Sequence, residues 1–457
     1  MWRTRRSYDS PYQPPEAEVG DEAGGLEGAN SPDTTESPPA ATTPTRVFQT
    51  RKNEVPLAGP VERIREFNTG REPERLQIKY ARMRSDIFAF FRGTSHLFYD
   101  DWPAGNLLDR TPTVWATGDL HMENFGSFKA NNRLVYFDLI DFDDAGLAPA
   151  GWELTRFVTS VIVGARDLGV GGRETIGLTQ LFLRSYGAAL KEGKARWVER
   201  PTAKGMVKDL LTELKSRSRR ELLDSRTEIN GRARRLRIDM KRTLPVPEVA
   251  RGRIAAFMKK WAARQPDPEF FQLLDVARRI AGVSSLGLPR YALLVEGNGS
   301  PHRNFLLDLK MANPSAMISR GTTSQPQWKN DADRIVAIQQ RMQSVSPALH
   351  HPVLVNRQPY VIAELQPTQD RLLLTRWGGK IRRLEKVMTA MGETVAWAEL
   401  RSGGRNGSAI PDDLINFANS DGWQHEVVGY ARFYASKVES DYKEFSRAYD
   451  AGELGGA

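Results

Sequence analysis

Residues 113–144 read TVWATGDLHMENFGSFKANNRLVYFDLIDFDD, in which apolar runs alternate with polar segments rich in Asp and Asn. The β-branched and aromatic runs at 113–117 and 134–140 are typical of strands, and the Asn-Asn pair at 131–132 is typical of a turn. The pattern predicts a β-hairpin flanked by two loops. Asp119 lies in the first of these loops and Asp141 begins the second.

Asp119 and Asn124 have the Asp-x-x-x-x-Asn spacing of a phosphoryl-transfer catalytic loop. In such a loop the aspartate accepts the proton of the substrate hydroxyl, and the side-chain oxygen of the asparagine binds Mg²⁺. A second aspartate after the following hairpin supplies the charged metal ligand. These roles assign Asp119 as the base, His121 as an orienting residue, and three metal ligands: Asn124, Asp141 and Asp143.

An isolated Asp or Asn usually does no more than cap a turn. Here an apolar strand, the G-D-x-H-x-x-N motif, a hairpin of suitable length and the I-D-F-D motif occur together in one segment. The combination favours a functional interpretation over a structural one.

A second group of candidate residues lies in the later part of the chain. Residues 279–287, RIAGVSSLG, precede a strand-like run at 291–295, and glycine in such a loop lets the backbone approach phosphate oxygens closely. Lys310 ends another strand-like run and is predicted to contact the α- and β-phosphates. With the hinge-like position Glu364, the predicted nucleotide-binding residues are Gly282, Ser284, Ser285, Gly287, Lys310 and Glu364.

Composition excludes several classes of protein. The chain of 457 residues has no cysteine, so disulfides, thiolate metal sites and a cysteine nucleophile are excluded, and any metal must be held by oxygen or imidazole. No apolar run approaches the roughly 18 residues of a membrane-spanning helix. The basic start of the chain is not followed by an apolar segment, which favours a cytoplasmic location.

The basic residues are concentrated in one segment. Residues 191–260 hold 21 Lys and Arg against 9 Asp and Glu. Such a segment suits a polyanionic partner, but charged helical faces are usually only solvated, and we favour that interpretation. Aromatic residues that could stack on bases are scarce there, which makes nucleic acid an unlikely partner.

The periodicity of apolar residues divides the chain into four parts. Residues 1–47 are poor in large apolar side chains and are predicted to be a disordered tail. Residues 48–268 are predicted to be a helical lobe with the catalytic loop, and no strand is expected within 151–265. Residues 269–371 are predicted to be a β-rich nucleotide-binding lobe, followed by C-terminal helices at 372–457 that pack on the helical lobe.

Two resemblances extend this interpretation. GDLHMENF at 118–125 and IDFDDA at 140–145 resemble the paired motifs of aminoglycoside and choline phosphotransferases, within the protein-kinase-like superfamily. With AFFRGT at 89–94 and WELTR at 152–156, they resemble a bacterial family catalogued as domain of unknown function 2252, over most of residues 60–445.

The superfamily resemblance implies an α+β, two-lobed, protein-kinase-like fold. The glycine-containing loop and the strand lysine follow the catalytic loop here, which is the kinase order rotated and implies a circular permutation. Such a rotation requires the C-terminal helices at 412–448 to lie beside residues 72–100.

The leading functional hypothesis is a Mg²⁺-dependent phosphotransferase that moves phosphate from ATP to a hydroxyl of a small-molecule acceptor. The alternative is a non-catalytic, kinase-like binding or regulatory protein, because the helix predicted at 333–343 has no Glu to pair with Lys310, leaving Asp333 or Gln339 as substitutes. If Lys310 lay far from the Asp119 loop, a metal-dependent hydrolase would be the better hypothesis.

Overall fold

The computed structural model describes residues 57–231, 233–367 and 369–454, and the predicted disordered tail lies outside these ranges. The described chain is a mixture of α-helices and antiparallel strands, as the sequence predicts. Its helices are α1 (Pro60–Phe67), α2 (Pro73–Ser85), α3 (Ile87–Gly93), α4 (Ser95–Asp100), α5 (Ala150–Gly164), α6 (Gly172–Glu192), α7 (Gly205–Glu213), α8 (Arg219–Arg226), α9 (Glu248–Ala262), α10 (Ala316–Arg320), α11 (Asp331–Met342), α12 (Ile381–Ser402), α13 (Pro411–Asn419) and α14 (Trp423–Asp450).

Several strands are only two to five residues long, and their pairing defines them better than their composition does. The strands are β1 (Thr113–Ala116), β2 (Phe125–Lys129), β3 (Val135–Leu139), β4 (Gly146–Pro149), β5 (Val198–Glu199), β6 (Thr227–Asn230), β7 (Ala233–Leu236), β8 (Thr243–Leu244), β9 (Leu273–Arg279), β10 (Arg290–Val295), β11 (Phe305–Met311), β12 (His351–Val355), β13 (Gln358–Glu364) and β14 (Asp370–Arg371).

The strands form one larger sheet and three small ones. The larger sheet has six antiparallel strands in the order β12-β13-β11-β10-β9-β8. The predicted hairpin is β2 and β3, which lies in a four-stranded sheet of order β14-β2-β3-β5. β1 pairs with β4, and β6 pairs with β7. Because β1 and β4 precede and follow the hairpin, their pairing brings the two polar loops side by side.

The main hydrophobic core joins the helices to the hairpin. It includes most of α5, which is buried along nearly its whole length, together with α6, α12 and α14. A second core lies between α9 and one face of the six-stranded sheet, and a third between α8, β7 and the opposite face. The six-stranded sheet is therefore covered on both faces, by α9 on one and by α8 and β7 on the other.

The segment at 151–265 differs from the sequence prediction, because it contains the four short strands β5, β6, β7 and β8. Their Arg, Glu and Asn side chains hide the apolar alternation that marks a strand. The predicted boundary between residues 268 and 269 falls between α9 and β9, which pack against each other, and β8 pairs with β9.

The C-terminal helix α14 packs against α2 and α3, in the position that the sequence argument required. Arg84 of α2 forms a two-pronged ion pair with Asp450, with both N–O distances 2.9 Å. The hydroxyl of Tyr442 donates to the carbonyl of Arg84 at 2.7 Å, and the rings of Phe90 and Phe445 lie 5.3 Å apart.

No helix in the described ranges is both long enough and apolar enough to cross a membrane.

Candidate functional site

The loop at 117–124, which joins β1 to β2, is anchored by α5. Glu153 and Arg156 lie three residues apart on α5 and therefore on one face of the helix. The Glu153 carboxylate accepts the backbone N–H of Thr117, with N–O distances of 2.8 and 3.0 Å. The Nε of Arg156 donates to Asp119 Oδ1 at 2.9 Å. These two contacts fix the position and orientation of Asp119.

Gly118 lets this loop pass close to the loop at 140–145. Its φ of +80° favours glycine, and a Cβ at this position would lie 2.2 Å from the backbone oxygen of Asp144. The side chain of Asp144 in turn accepts the backbone N–H of Ala316 at 2.7 Å. A glycine is thus required for the two polar loops to meet.

Asn124 connects the two loops through its side-chain amide. Nδ2 donates to the backbone oxygens of Asp119 at 3.3 Å and Asp141 at 3.2 Å. These two bonds fix the amide orientation, so Oδ1 points the other way. Although Asn124 is only 1% exposed, no described residue donates a hydrogen bond to Oδ1. A buried acceptor without a donor is rare and calls for a ligand to complete it.

Burial raises the pKa of Asp119 to about 7, against the opposing effect of the Arg156 charge. The negative charge of Asp144 adds to the increase. At neutral pH this carboxyl is therefore partly protonated, near the point at which a group exchanges protons most readily. Its side chain keeps 15% exposure, so it is not sealed from solvent.

His121 is buried and uncharged. Burial lowers its pKa well below the usual value, and the charges of Arg92 and Arg371 lower it further. Its Nδ1 accepts the backbone N–H of Glu123 at 3.1 Å, which assigns the proton of the neutral ring to Nε2. His121 therefore orders the loop and can donate, but not accept, a hydrogen bond through Nε2.

Lys310 lies opposite the loop at 140–145, near the end of β11. Its Nζ forms an ion pair with Asp143 and lies 3.7 Å from Asp141 Oδ1. Desolvation alone would raise the pKa of Asp141, but the charges of Lys310 and then Arg371 outweigh it and hold the pKa below its usual value. Burial and the neighbouring Asp141 charge raise the pKa of Asp143.

The loop between β9 and β10, residues 280–289, is held by α2 and the residues just before it, which bind its carbonyl oxygens. Arg82 Nη1 donates to the carbonyl of Gly282 at 2.9 Å. Arg71 Nη1 donates to the carbonyls of Ser284 and Leu286 at 2.6 and 2.8 Å. Three carbonyl groups of this glycine loop therefore accept hydrogen bonds from α2 or from Arg71 just before it.

Five successive N–H groups of the same loop, those of residues 281–285, differ from its carbonyl groups. Within the described ranges, no acceptor is bonded by the backbone N–H groups of residues 281–285, and these residues line the main cleft. Successive free N–H groups facing a concavity are an anion-binding arrangement. The loop thus has unused backbone donors among residues that line the cleft, while three of its carbonyl groups are bound by Arg71 and Arg82.

The main cleft has a volume of about 390 Å³ and lies between the Asp119 loop at 117–124 and the glycine loop at 280–289. The structure brings most of the sequence-predicted residues to its wall, including residues that are far apart in the chain. Those on the wall are His121, Asn124, Asp141, Gly282, Ser284, Ser285 and Lys310. Asp119 lies behind this wall and is joined to it by Asn124.

Besides Asp119, three predicted residues do not line the main cleft. Gly287 faces α2, where its carbonyl accepts the N–H of Glu72 at 2.9 Å. Asp143 and Glu364 line a smaller adjoining cavity of about 120 Å³. The Glu364 carboxylate is fully buried and ion-paired with Arg219 at 2.9 Å, so the hinge-like position on the cleft wall is occupied by Leu365 instead.

Neither substitute for the missing kinase Glu contacts Lys310. The carboxylate of Asp333 accepts a hydrogen bond from Asn330 at 2.6 Å, at the start of α11. Gln339 lines the smaller cavity and donates to Gln343 at 3.2 Å. Asp141 and Asp143 are the acidic groups beside the lysine.

The family model described as "Uncharacterized protein conserved in bacteria (DUF2252)" matches residues 71–448. The chain belongs to this family. The resemblance drawn from the sequence motifs is therefore confirmed at this level, and the match covers both polar loops, the glycine loop and Lys310. No curated protein and no solved structure matches this DUF2252 chain.

Sequence reasoning missed most of the positive charge of the cleft. Six arginines line it besides Lys310: Arg92, Arg226, Arg242, Arg279, Arg290 and Arg371. Two come from the basic segment that was interpreted as a solvated face. The motif AFFRGT contains Arg92 and is the sequence signal by which this arginine can be found. Arg290 is the cross-strand neighbour of Lys310.

The DUF2252 cleft also has an apolar wall that the sequence did not indicate. Ala292 and Leu306 contribute from the six-stranded sheet, and Leu365 from the segment after β13. Leu222 and Leu236 cover them from α8 and β7. No local pattern reveals this wall, because its residues are adjacent only after α8 and β7 pack on the sheet.

No three His, Cys, Asp or Glu side chains of the described ranges are close enough to hold a metal ion by themselves. A magnesium site does not need such a group. Mg²⁺ usually retains water and binds one or two protein oxygens together with substrate phosphates.

Proposed function

We propose that this protein is a Mg²⁺-dependent phosphotransferase that moves the terminal phosphate of ATP to a hydroxyl group of a small molecule. The observation that supports this most directly is Asn124. Its amide nitrogen binds the two loops that carry Asp119 and Asp141, and its buried oxygen is left without a donor at the wall of the cleft. A hard cation bound by oxygen is the partner that completes such a group.

The residues present suit Mg²⁺. Asn124 Oδ1 and the half-exposed carboxylate of Asp141 are the two protein oxygens that would hold it, and the low pKa of Asp141 keeps that carboxylate charged. When bound, the ion would neutralise the charge of the phosphate oxygens. Asp143 is the next candidate ligand. It ranks below Asp141 because in this structure its carboxylate is ion-paired with Lys310.

The opposite wall suits a nucleoside triphosphate. The free N–H groups of residues 281–285 and the amine of Lys310 are donors for the phosphates. Ala292, Leu306 and Leu365 contribute apolar lining on which a base could pack. Charge, hydrogen-bond donors and apolar lining thus occur in one cleft, as nucleotide binding requires.

In the proposed reaction the acceptor oxygen attacks the terminal phosphorus as the bond from that phosphorus to the bridging oxygen breaks and ADP leaves. Asp119 receives the proton of the acceptor hydroxyl. Its pKa of about 7 suits this role, and Arg156 holds the carboxylate in place. The Nε2–H of His121 is a further donor at the cleft wall.

We further propose that the fold is a circularly permuted, two-lobed, kinase-like fold. In support, the six-stranded sheet carries the glycine loop and Lys310 but follows the Asp119 loop in the chain. The packing of α14 against α2 and α3 supplies the junction that a permutation requires. The absence of an α11 glutamate beside Lys310 favours the second candidate, a non-catalytic nucleotide-binding protein.

Calorimetric titration with ATP, with and without Mg²⁺, tests the proposal when combined with an assay of ADP release. We expect saturable, Mg²⁺-enhanced binding that Lys310→Gln weakens by about 10-fold or more, because a charge-assisted hydrogen bond is lost. Lys329→Gln, at an exposed position, is the control. Binding without any ADP release across a panel of hydroxyl compounds would favour the second candidate, and no binding would refute both.

A further inference from the structure

Two arginines and one glutamate form a cluster beside the Asp119 loop. Arg92 from α3 and Arg371 from β14 both donate to the same oxygen, Oε2, of Glu123, with Arg371 Nη1 at 3.1 Å. The pairing of β14 with β2 places Arg371 opposite Gly126, close to Glu123 in the chain. One carboxylate thus serves two guanidinium groups, and one positive charge remains uncompensated within the cluster.

Within the described ranges no second carboxylate forms an ion pair with either guanidinium, although the charges of Asp119 and Asp141 act on Arg92 from farther away. Arg92 is only 8% exposed, and no described residue accepts a hydrogen bond from its Nε. Burial lowers the pKa of Arg82 and of His121, and the charge of Arg371 lowers both further. A buried cation without full compensation is costly unless an anion completes it.

The position of the cluster relates it to the acceptor and not to the base of the nucleotide. Arg92, Glu123 and Arg371 line the main cleft on the side of His121 and Asn124. Arg371 also lines an adjoining cavity of about 420 Å³, which is large enough for a small molecule. Arg371 therefore lies on both this cavity and the main cleft, whose wall is joined to Asp119 through Asn124.

The acids of the adjoining cavity are already paired. Glu213 binds Arg376 at 2.9 Å, and Asp209 binds Arg383 at 3.0 Å. The third acid, Asp370, binds Arg217 at 2.9 Å. A cationic acceptor such as an amine would therefore meet no free carboxylate there. An anionic acceptor would meet Arg371 in this cavity and Arg92 in the main cleft beside it.

We propose that the acceptor carries an anionic group, a phosphate or a carboxylate, and that Arg92 and Arg371 bind this group while Glu123 occupies their donors when the site is empty. The inference rests on the proposed phosphotransferase function and names the class of its acceptor. Guanidinium groups suit both anions because their paired N–H groups match two oxygens.

The test uses the full chain saturated with Mg²⁺ and the non-hydrolysable analogue β,γ-imido ATP, so that the glycine loop is occupied. Inorganic phosphate, acetate and ethanolamine are then titrated separately by calorimetry. We expect phosphate or acetate to bind and ethanolamine not to bind. Arg92→Gln and Arg371→Gln should each weaken binding of the anion by about 10- to 100-fold. Arg196→Gln, an exposed arginine paired with Glu192 at 2.8 Å, should leave it unchanged.

A variant that is expected to increase anion affinity distinguishes a specific loss of binding from misfolding. Glu123→Gln removes the competing carboxylate, so anion binding should become tighter. The inference is overturned if neither anion binds the analogue-loaded protein, or if ethanolamine binds more tightly than the anions. It is also overturned if the arginine variants weaken binding of the ATP analogue instead of binding of the anion. If the analogue itself fails to bind, the proposed function fails separately, and the same variants titrated with phosphate on the free protein still decide the role of the arginines.

Discussion

The Asp119 loop at 117–124 and the glycine loop at 280–289 contribute to the same site, but they are built in opposite ways. The first offers a side-chain carboxylate and a side-chain amide, and its anchors lie on α5, fewer than 40 residues away. The second offers backbone N–H groups, and its anchors lie in and just before α2, about 200 residues away. Side-chain chemistry is therefore fixed locally here, whereas backbone chemistry depends on a long-range contact.

The two loops also differ in how burial changes their charge. Around the Asp119 loop, burial raises the pKa of Asp119 and of Glu153 to about 7. Beside the glycine loop, burial lowers the pKa of Arg71 to about 10, which leaves it charged at neutral pH. Changes of pH near neutrality should therefore act on the acidic side of the site and leave the Arg71 clamp intact.

Asp119→Asn should produce the largest effect, since it removes the proposed base while keeping an oxygen that Arg156 can bind. Loss of a general base typically lowers the rate by about 10² to 10⁴. ADP release from Mg-ATP measures the change, and Asp412→Asn, exposed at the start of α13, is the control. An unchanged rate with intact nucleotide binding would show that Asp119 is not the base.

Glu153→Gln should change the pH dependence of stability. Between pH 4.5 and about 7, folded Glu153 holds a proton that the unfolded chain releases, so its contribution lowers the free energy of unfolding as pH rises through this range. The variant has no such group and should gain roughly 3 kcal/mol relative to the wild type by pH 8.

Urea unfolding of both proteins at pH 5 and pH 8 measures this difference. For the control variant Glu248→Gln, at an exposed position, the free energy of unfolding relative to the wild type should be the same at both pH values. A gain of equal size at both pH values would show that Glu153 is not titrating between them.

Asp141→Ala should weaken Mg-ATP binding more than Asn124→Ala does, because a carboxylate contributes a full charge to the cation and an amide only a dipole. We expect Asp141→Ala to weaken Mg-ATP binding by at least about 10-fold. Even the loss of a residue that only hydrogen-bonds to a metal ligand typically weakens metal binding by about 10- to 100-fold. Calorimetry with and without Mg²⁺ separates the metal contribution. Equal losses would direct attention to Asp143.

Arg82→Gln tests the long-range anchor of the glycine loop and should give the smallest effect, about a 10-fold loss of nucleotide affinity from one charge-assisted hydrogen bond. The matched control is Arg84→Gln, two residues away on α2, whose partner is Asp450. Turnover at saturating Mg-ATP should be unchanged in both variants. A fall in turnover at saturation would show that the two loops are coupled more tightly than their separate anchors suggest.

Several elements could be predicted from sequence because their signals are local. The β2–β3 hairpin follows from the Asn131-Asn132 turn and the apolar run at 134–140, and β10, β11 and β13 follow from apolar runs. The candidates Asp119, Asn124 and Asp141 follow from two motifs that occur together with a strand and a hairpin in one segment. By contrast, β8 has two residues and is defined only by its pairing with β9, so no window of sequence could identify it.

The sequence by itself determined the mixed α and β composition, the family and the chemical groups of the Asp119 loop, since these depend on residue type and spacing within a few turns of chain. Only the tertiary structure decided that Arg82 binds a carbonyl of the glycine loop, that Leu222 and Leu236 cover the apolar wall of the cleft, and that Arg92 and Arg371 share Glu123. These arrangements join segments that are far apart in the chain. Their energies come from burial and charge pairing, which exist only once the chain has folded.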